Sequence, residues 1–171
     1  MKKTMLHVGC GGSHLPPPYS HCEEIRLDID ESVKPDIVAD IAHLPEGLGP
    51  FDGVFACHCV EHLYPYDIDP CLSGFLRVLK PQGIAIVLVP DLEDVQPTDA
   101  IVYVSPAGPI TGHDMFYGFG PALAAHPYMA HHTGFTQATL RAALERNGFV
   151  DIQIARMSNE CFGLYAIGRR P

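Results

Sequence analysis

Residues 84–89 read Ile-Ala-Ile-Val-Leu-Val. Six apolar side chains in succession leave neither face of an extended segment polar. A strand of that kind sits in the middle of a mostly parallel sheet covered by helices. Shorter apolar runs between turn residues stand at 5–8, 24–27, 37–39 and 53–56, and two more close the chain at 150–155 and 162–167. Seven strands are therefore expected.

Two helices are signalled between the later strands. Asp69 is read as an N-cap with Pro70 at the first helical position. Leu72, Phe75, Leu76 and Leu79 then recur at helical spacing, Lys80 suits the C-terminal end, and Pro81 stops the helix. The second helix starts at Thr136, buries Leu140, Ala143 and Leu144, pairs Arg141 with Glu145, and ends at Asn147-Gly148. A strand follows each helix, the alternation of an α/β doubly wound layer fold. The first third departs from it. Ser-His-Leu-Pro-Pro-Pro-Tyr stands where a crossover helix would run, and 30–36 has room only for a turn, so loops join the first strands. Residues 91–135 are rich in Gly, Pro, His and Tyr with weak periodicity, as expected of a lid or substrate segment, with a short helix within 121–132.

The chain of 171 residues fits one domain, 1–171. Eleven Lys and Arg against twenty Asp and Glu give a net charge of −9, and no basic patch offsets it, so a nucleic-acid partner is disfavoured. No apolar run approaches the ~18 residues of a membrane span, and no h-region follows Met1-Lys2-Lys3, so a cytoplasmic location away from membranes is expected. The six cysteines are expected as free thiols.

Val-Gly-Cys-Gly-Gly follows the first strand, and glycine there permits a tight turn and close approach of backbone to ligand. A dinucleotide fingerprint would need a glycine where His14 stands and a helix beneath the pyrophosphate, which disfavours a nicotinamide cofactor. Downstream come Leu-Asp-Ile-Asp, Val-Ala-Asp-Ile with Leu-Pro, Phe-Asp-Gly-Val-Phe-Ala-Cys-His-Cys-Val-Glu-His-Leu, Arg-Val-Leu-Lys-Pro-Gln-Gly, and His-x-x-x-Phe-Thr. In this order, from Leu6 to Phe149, the motifs resemble the class I S-adenosylmethionine-dependent methyltransferases, above all the small type-11-like bacterial enzymes with shortened first crossovers.

The resemblance implies a Rossmann-like, doubly wound, seven-stranded and mostly parallel sheet, its last strand antiparallel and its first helices abbreviated. It also implies S-adenosyl-L-methionine as cofactor. Gly9 and Gly11, with Cys10 between them, would cradle the methionine part. Asp28, followed by Ile29, would accept hydrogen bonds from the ribose hydroxyls, a task suited to an acceptor-only carboxylate. Asp40 would meet the adenine amino group, Ile41 the ring, and His58 the methionine side. His7 stands where the family usually has Asp, Glu or Asn, a residue that often helps to hold the cofactor's amino group. Gln82 replaces the first glycine of the usual Lys-Pro-Gly-Gly turn.

Methyl transfer from a sulfonium needs a base only if the acceptor arrives protonated. His131, in the segment expected over the active site, and His62 are the candidates; a backbone-bonded loop histidine and a packing role at the strand end are the competing readings. Tyr103, Phe116, Tyr117 and Tyr128 are candidates for an aromatic acceptor pocket. Cys57 and Cys59 would point to opposite faces of a strand end, so no metal is expected. The sequence thus predicts direct in-line methyl transfer to an unidentified small molecule. The alternative is a non-catalytic module binding S-adenosylmethionine or S-adenosylhomocysteine. Apolar surface left by the missing crossover favours a homodimer.

Overall fold

The computed structural model describes residues 2–157 and 162–171. Strands β1 (Thr4–Val8), β2 (Glu23–Asp28), β3 (Ile37–Val38) and β4 (Phe51–Cys57) precede helix α1 (Ile68–Val78) and the long strand β5 (Leu79–Pro90). A hairpin of β6 (Ile101–Ser105) and β7 (Gly108–Thr111) follows, then helices α2 (Gly112–Tyr117), α3 (Gly120–Leu123) and α4 (Gln137–Arg146), and strands β8 (Val150–Met157) and β9 (Gly163–Arg169). Seven strands form one sheet in the order β3-β2-β1-β4-β5-β9-β8. Every neighbouring pair from β3 to β5 is parallel, and β9 runs against both β5 and β8. This is the expected α/β Rossmann-like sheet with an antiparallel last strand.

β5 lies in the interior, as its two apolar faces require. Ala85, Val87 and Val89 point into the larger core with α1 and α4, while Ile86 points to the opposite face with Ile84 and Leu88. On that second face no helix follows β1. Leu15, Tyr19 and Cys22 of the loop between β1 and β2 pack on Met5, Phe55 and Ile86 instead, and the Tyr19 hydroxyl is hydrogen-bonded to that of Tyr165. The proline run has replaced a crossover helix by a loop, while α1 and α4 pack together on the other face.

The helices largely follow their signals, with two corrections. Pro65–Asp67 already forms a 3-10 turn, so α1 begins before Asp69, which is not its N-cap. The Asp69 carboxylate instead accepts from Arg146 at 2.7 Å and Asn147 at 2.8 Å, tying the start of α1 to the end of α4. Leu79 pairs with Phe51, which draws the chain into β5 before Lys80 can serve the helix end; Lys80 meets Asp52 at 2.9 Å. Helix α4 forms as expected, with Thr136 and Thr139 in a reciprocal capping box and Arg141 3.9 Å from Glu145. Gly148 follows it at φ +88°.

The 91–135 segment is more ordered than its periodicity suggests. The β6–β7 hairpin was not expected, although Val102-Tyr103-Val104 has strand composition. The helix expected within 121–132 is confined to α3 and a 3-10 turn at Pro127–Met129, because Pro127 lacks the N–H a continuing helix would use. Cys10, Cys22, Cys57, Cys59 and Cys71 are free thiols, while Cys161 lies outside the described residues. Among the described residues no helix is long and apolar enough to cross a membrane.

Candidate functional site

The carboxyl ends of β1, β2 and β4, with the turns that follow β2, β3 and β4, surround a cavity of about 540 Å³. Gly9, Gly11, Asp28, Ile29, Asp40, Ile41 and His58 line it together. These residues span fifty positions of sequence, and a parallel sheet gathers them because every strand delivers its end to the same side. Gly9 has φ +58°, and a Cβ there would stand 2.4 Å from that of Cys59. Gly11 has φ +49°, but a Cβ there would meet nothing within 4 Å, since the turn faces open cavity. Backbone strain also marks His58, a non-glycine residue at φ +50° where β4 ends.

Asp28 is 9% exposed and ends β2. Its Oδ2 accepts the Gly11 amide at 2.7 Å and its Oδ1 the Asp30 amide at 2.9 Å. Each carboxylate oxygen has two lone pairs, so both keep capacity for a ligand hydroxyl. Asp40 caps the 3-10 turn Ile41–His43 through Oδ1, which accepts from the Ala42 amide at 2.8 Å. Ile41 is buried beneath the cavity while Ile29 is 63% exposed, an aliphatic surface open to a flat ring. Cys10 does not line the cavity: its side chain turns into the interior, where burial pushes the thiol pKa up.

His7 also differs from the role the resemblance suggested. It is 2% exposed, does not line the cavity, and packs edge-on against Phe55 with ring centroids 5.2 Å apart. Its Nδ1 lies 2.7 Å from Glu24 Oε1, while Glu24 also accepts from the Leu15 amide at 2.9 Å and holds His14. The pair thus anchors the loop that replaces the first helix. Burial holds the His7 pKa below its usual value, against the opposing pull of Glu24.

Tyr64, Tyr66, Tyr128 and Met129 form the mouth of the cavity. Tyr64 stacks on Tyr66 at 5.4 Å and on His132 at 4.1 Å. Nothing in the sequence marks Tyr64 and Tyr66, since two exposed tyrosines in a turn carry no periodic signal. A second, more open cavity of about 470 Å³ adjoins this wall, lined by Phe116, Tyr117, His131 and His132 among others. Of the aromatic candidates, Tyr128 reaches the first cavity, Phe116 and Tyr117 the second, and Tyr103 neither; it stacks on Phe162. His62 lines the first cavity and His131 the second, and their rings meet at 5.1 Å. His131 is half-buried, and desolvation lowers its pKa.

Compared with known proteins, residues 6–87 match the model of a methyltransferase domain. No curated protein sequence matches the chain. Among solved structures, a SAM dependent methyltransferase from Archaeoglobus fulgidus superposes with a TM-score of 0.68 at 18% identity, over 98% of this chain and 86% of that one. An S-adenosylmethionine dependent methyltransferase from Mesorhizobium loti gives 0.67 at 17% identity, over 98% and 91%. The 1,6-didemethyltoxoflavin-N1-methyltransferase of Burkholderia thailandensis, bound to 1,6-didemethyltoxoflavin and S-adenosylhomocysteine, gives 0.63 at 16% identity, over 99% and 71%. At such identities the likeness is one of fold.

Proposed function

We propose, for a chain that belongs to the class I S-adenosylmethionine-dependent methyltransferases, that it transfers the sulfonium methyl group of S-adenosylmethionine to a small-molecule acceptor. The observation that carries this reading is the convergence of Gly9, Gly11, Asp28 and Asp40 on one cavity. The glycine turn leaves room for the methionine chain. Asp28 offers two oriented oxygens to vicinal ribose hydroxyls. Asp40 and the aliphatic surfaces of Ile29 and Ile41 suit the amino edge and faces of adenine. The Burkholderia enzyme holds the demethylated cofactor and a small heterocycle in the same fold.

A second cavity beside the first supports transfer over mere cofactor binding, because an acceptor needs its own place next to the sulfonium. The acceptor lone pair would form its bond to the methyl carbon as the carbon–sulfur bond breaks, leaving S-adenosylhomocysteine. Alignment of the two reactants supplies most of the acceleration. Residues 91–135 act as the lid: Met129 and Tyr128 close the first cavity, and Phe116, Tyr117 and His131 line the second. His62 and His131 stand at the junction of the two cavities, beside the place the acceptor would occupy.

Incubation with methyl-labelled S-adenosylmethionine and pools of small hydroxyl, amine and heterocyclic nucleophiles tests the proposal. Label transferred to one pool, with matching S-adenosylhomocysteine, is the expected result. Tight cofactor binding with no transfer to any pool would favour the binding module.

A further inference from the structure

The histidines at the junction meet a carboxylate that the cofactor reading does not use. Glu61 is 1% exposed. Its Oε1 lies 3.2 Å from His58 Nδ1, but its Oε2 is buried with no hydrogen-bond partner among the described residues. Burying a carboxylate oxygen without a donor is costly, and a native structure retains it where something absent completes it.

His62 and His131, by contrast, present lone pairs to the cluster, not protons. His62 Nδ1 lies 3.2 Å from the carbonyl of Ala130, and His131 Nδ1 lies 2.9 Å from that of Met115. A carbonyl can only accept, so each Nδ1 carries the ring's proton and each Nε2 is left as a lone pair. Donor atoms of Glu61, His62 and His131 lie within 4.8 Å of one another. The two parts of this cluster, some seventy residues apart in sequence, are pinned by the backbone: the His132 and Thr133 amides both donate to the Glu61 carbonyl, at 2.9 and 3.1 Å.

We propose that Glu61, His62 and His131 bind a divalent transition-metal cation of the zinc class at the junction of the two cavities. Two imidazoles and a carboxylate suit zinc, cobalt, nickel or iron, whereas magnesium and calcium prefer an all-oxygen shell. An imidazole that binds through one nitrogen while its other N–H donates to a carbonyl is the usual support of a metal-bound histidine. In a tetrahedral site the donors stand about 3.3 Å apart, so small side-chain rotations close the cluster around the ion. No metal was expected from Cys57-His58-Cys59, and this cluster is a different one. The convergence involves neither cysteine.

Three protein ligands leave a position open, and His131 faces the second cavity. A cation there takes an oxygen of the acceptor and lowers the pKa of its hydroxyl. That hydroxyl yields its proton to solvent, and its oxygen then receives the methyl group as the carbon–sulfur bond breaks. This role rests on the methyltransferase reading, but cation binding does not, and the two are measured separately.

The test is titration of chelator-treated full-length protein with Zn²⁺ by calorimetry and with Co²⁺ by visible absorption, without S-adenosylmethionine. The account expects a single equivalent of Zn²⁺, d–d bands with Co²⁺, and no comparable response to Mg²⁺. Glu61→Gln and His131→Ala, each checked for folding by circular dichroism, should each weaken binding more than tenfold. If Glu61→Gln fails to fold, the half-buried His131→Ala carries the test. Absence of Co²⁺ bands, or binding unchanged in the folded variants, would overturn the site and return His131 to the role of a base.

Discussion

The Asp28 carboxylate accepts the amide hydrogen of Gly11 across 2.7 Å. The end of β2 and the turn after β1 are therefore one rigid unit, and the oxygens facing the cavity are oriented before a ligand arrives. Preorganisation of this kind turns contacts into affinity, because little ordering remains for binding to supply.

Removing that unit should cost the cofactor directly. Asp28→Ala loses both the turn contact and the acceptors for two hydroxyls. Affinity for S-adenosylmethionine should fall more than tenfold, or about 1.4 kcal/mol. Calorimetry on the folded variant measures it, and unchanged affinity would remove Asp28 from the ribose.

Gly9→Ala tests the turn itself. A methyl group there would meet the Cys59 side chain at 2.4 Å in a backbone region that side chains disfavour. We expect a loss of about 1–3 kcal/mol in stability by chemical denaturation. A neutral effect would mean that the turn yields easily.

His7 gives stability a pH dependence. Its folded pKa lies below the ordinary value of 6.5, chiefly because burial disfavours the charged ring. The contribution is fully present above pH 6.5 and is lost as pH falls through the lowered folded value. The melting temperature should drop on acidification through this window, and less so in His7→Asn. Identical profiles for both proteins would contradict the assignment.

Thr136→Ala removes half of the capping box at the start of α4. The expected loss is about 1 kcal/mol in chemical denaturation. Cofactor affinity should not change, since Thr136 does not line the first cavity.

What the sequence disclosed was local. The six apolar residues at 84–89, the cap at Thr136, the stop at Gly148 and the glycine turn each carry their physics within a few positions, and all took the expected form. Asp28, Asp40 and His58 were singled out by the family resemblance, and the parallel sheet collects them on one side, around one cavity. The partners of His7 were not legible, since nothing in a strand pattern says that Glu24 will turn to meet it. The same holds for His62 and His131: their meeting depends on the Glu61 carbonyl accepting two amides from a segment some seventy residues away. The start of α1 was misplaced because a 3-10 turn competed with the Asp69 cap.

The most direct test of the central claim is calorimetric titration of the folded protein with S-adenosylmethionine and S-adenosylhomocysteine, with NADH as control. The account predicts micromolar binding of the first two and none of NADH. Failure of both sulfur ligands to bind would contradict it, whatever the fold.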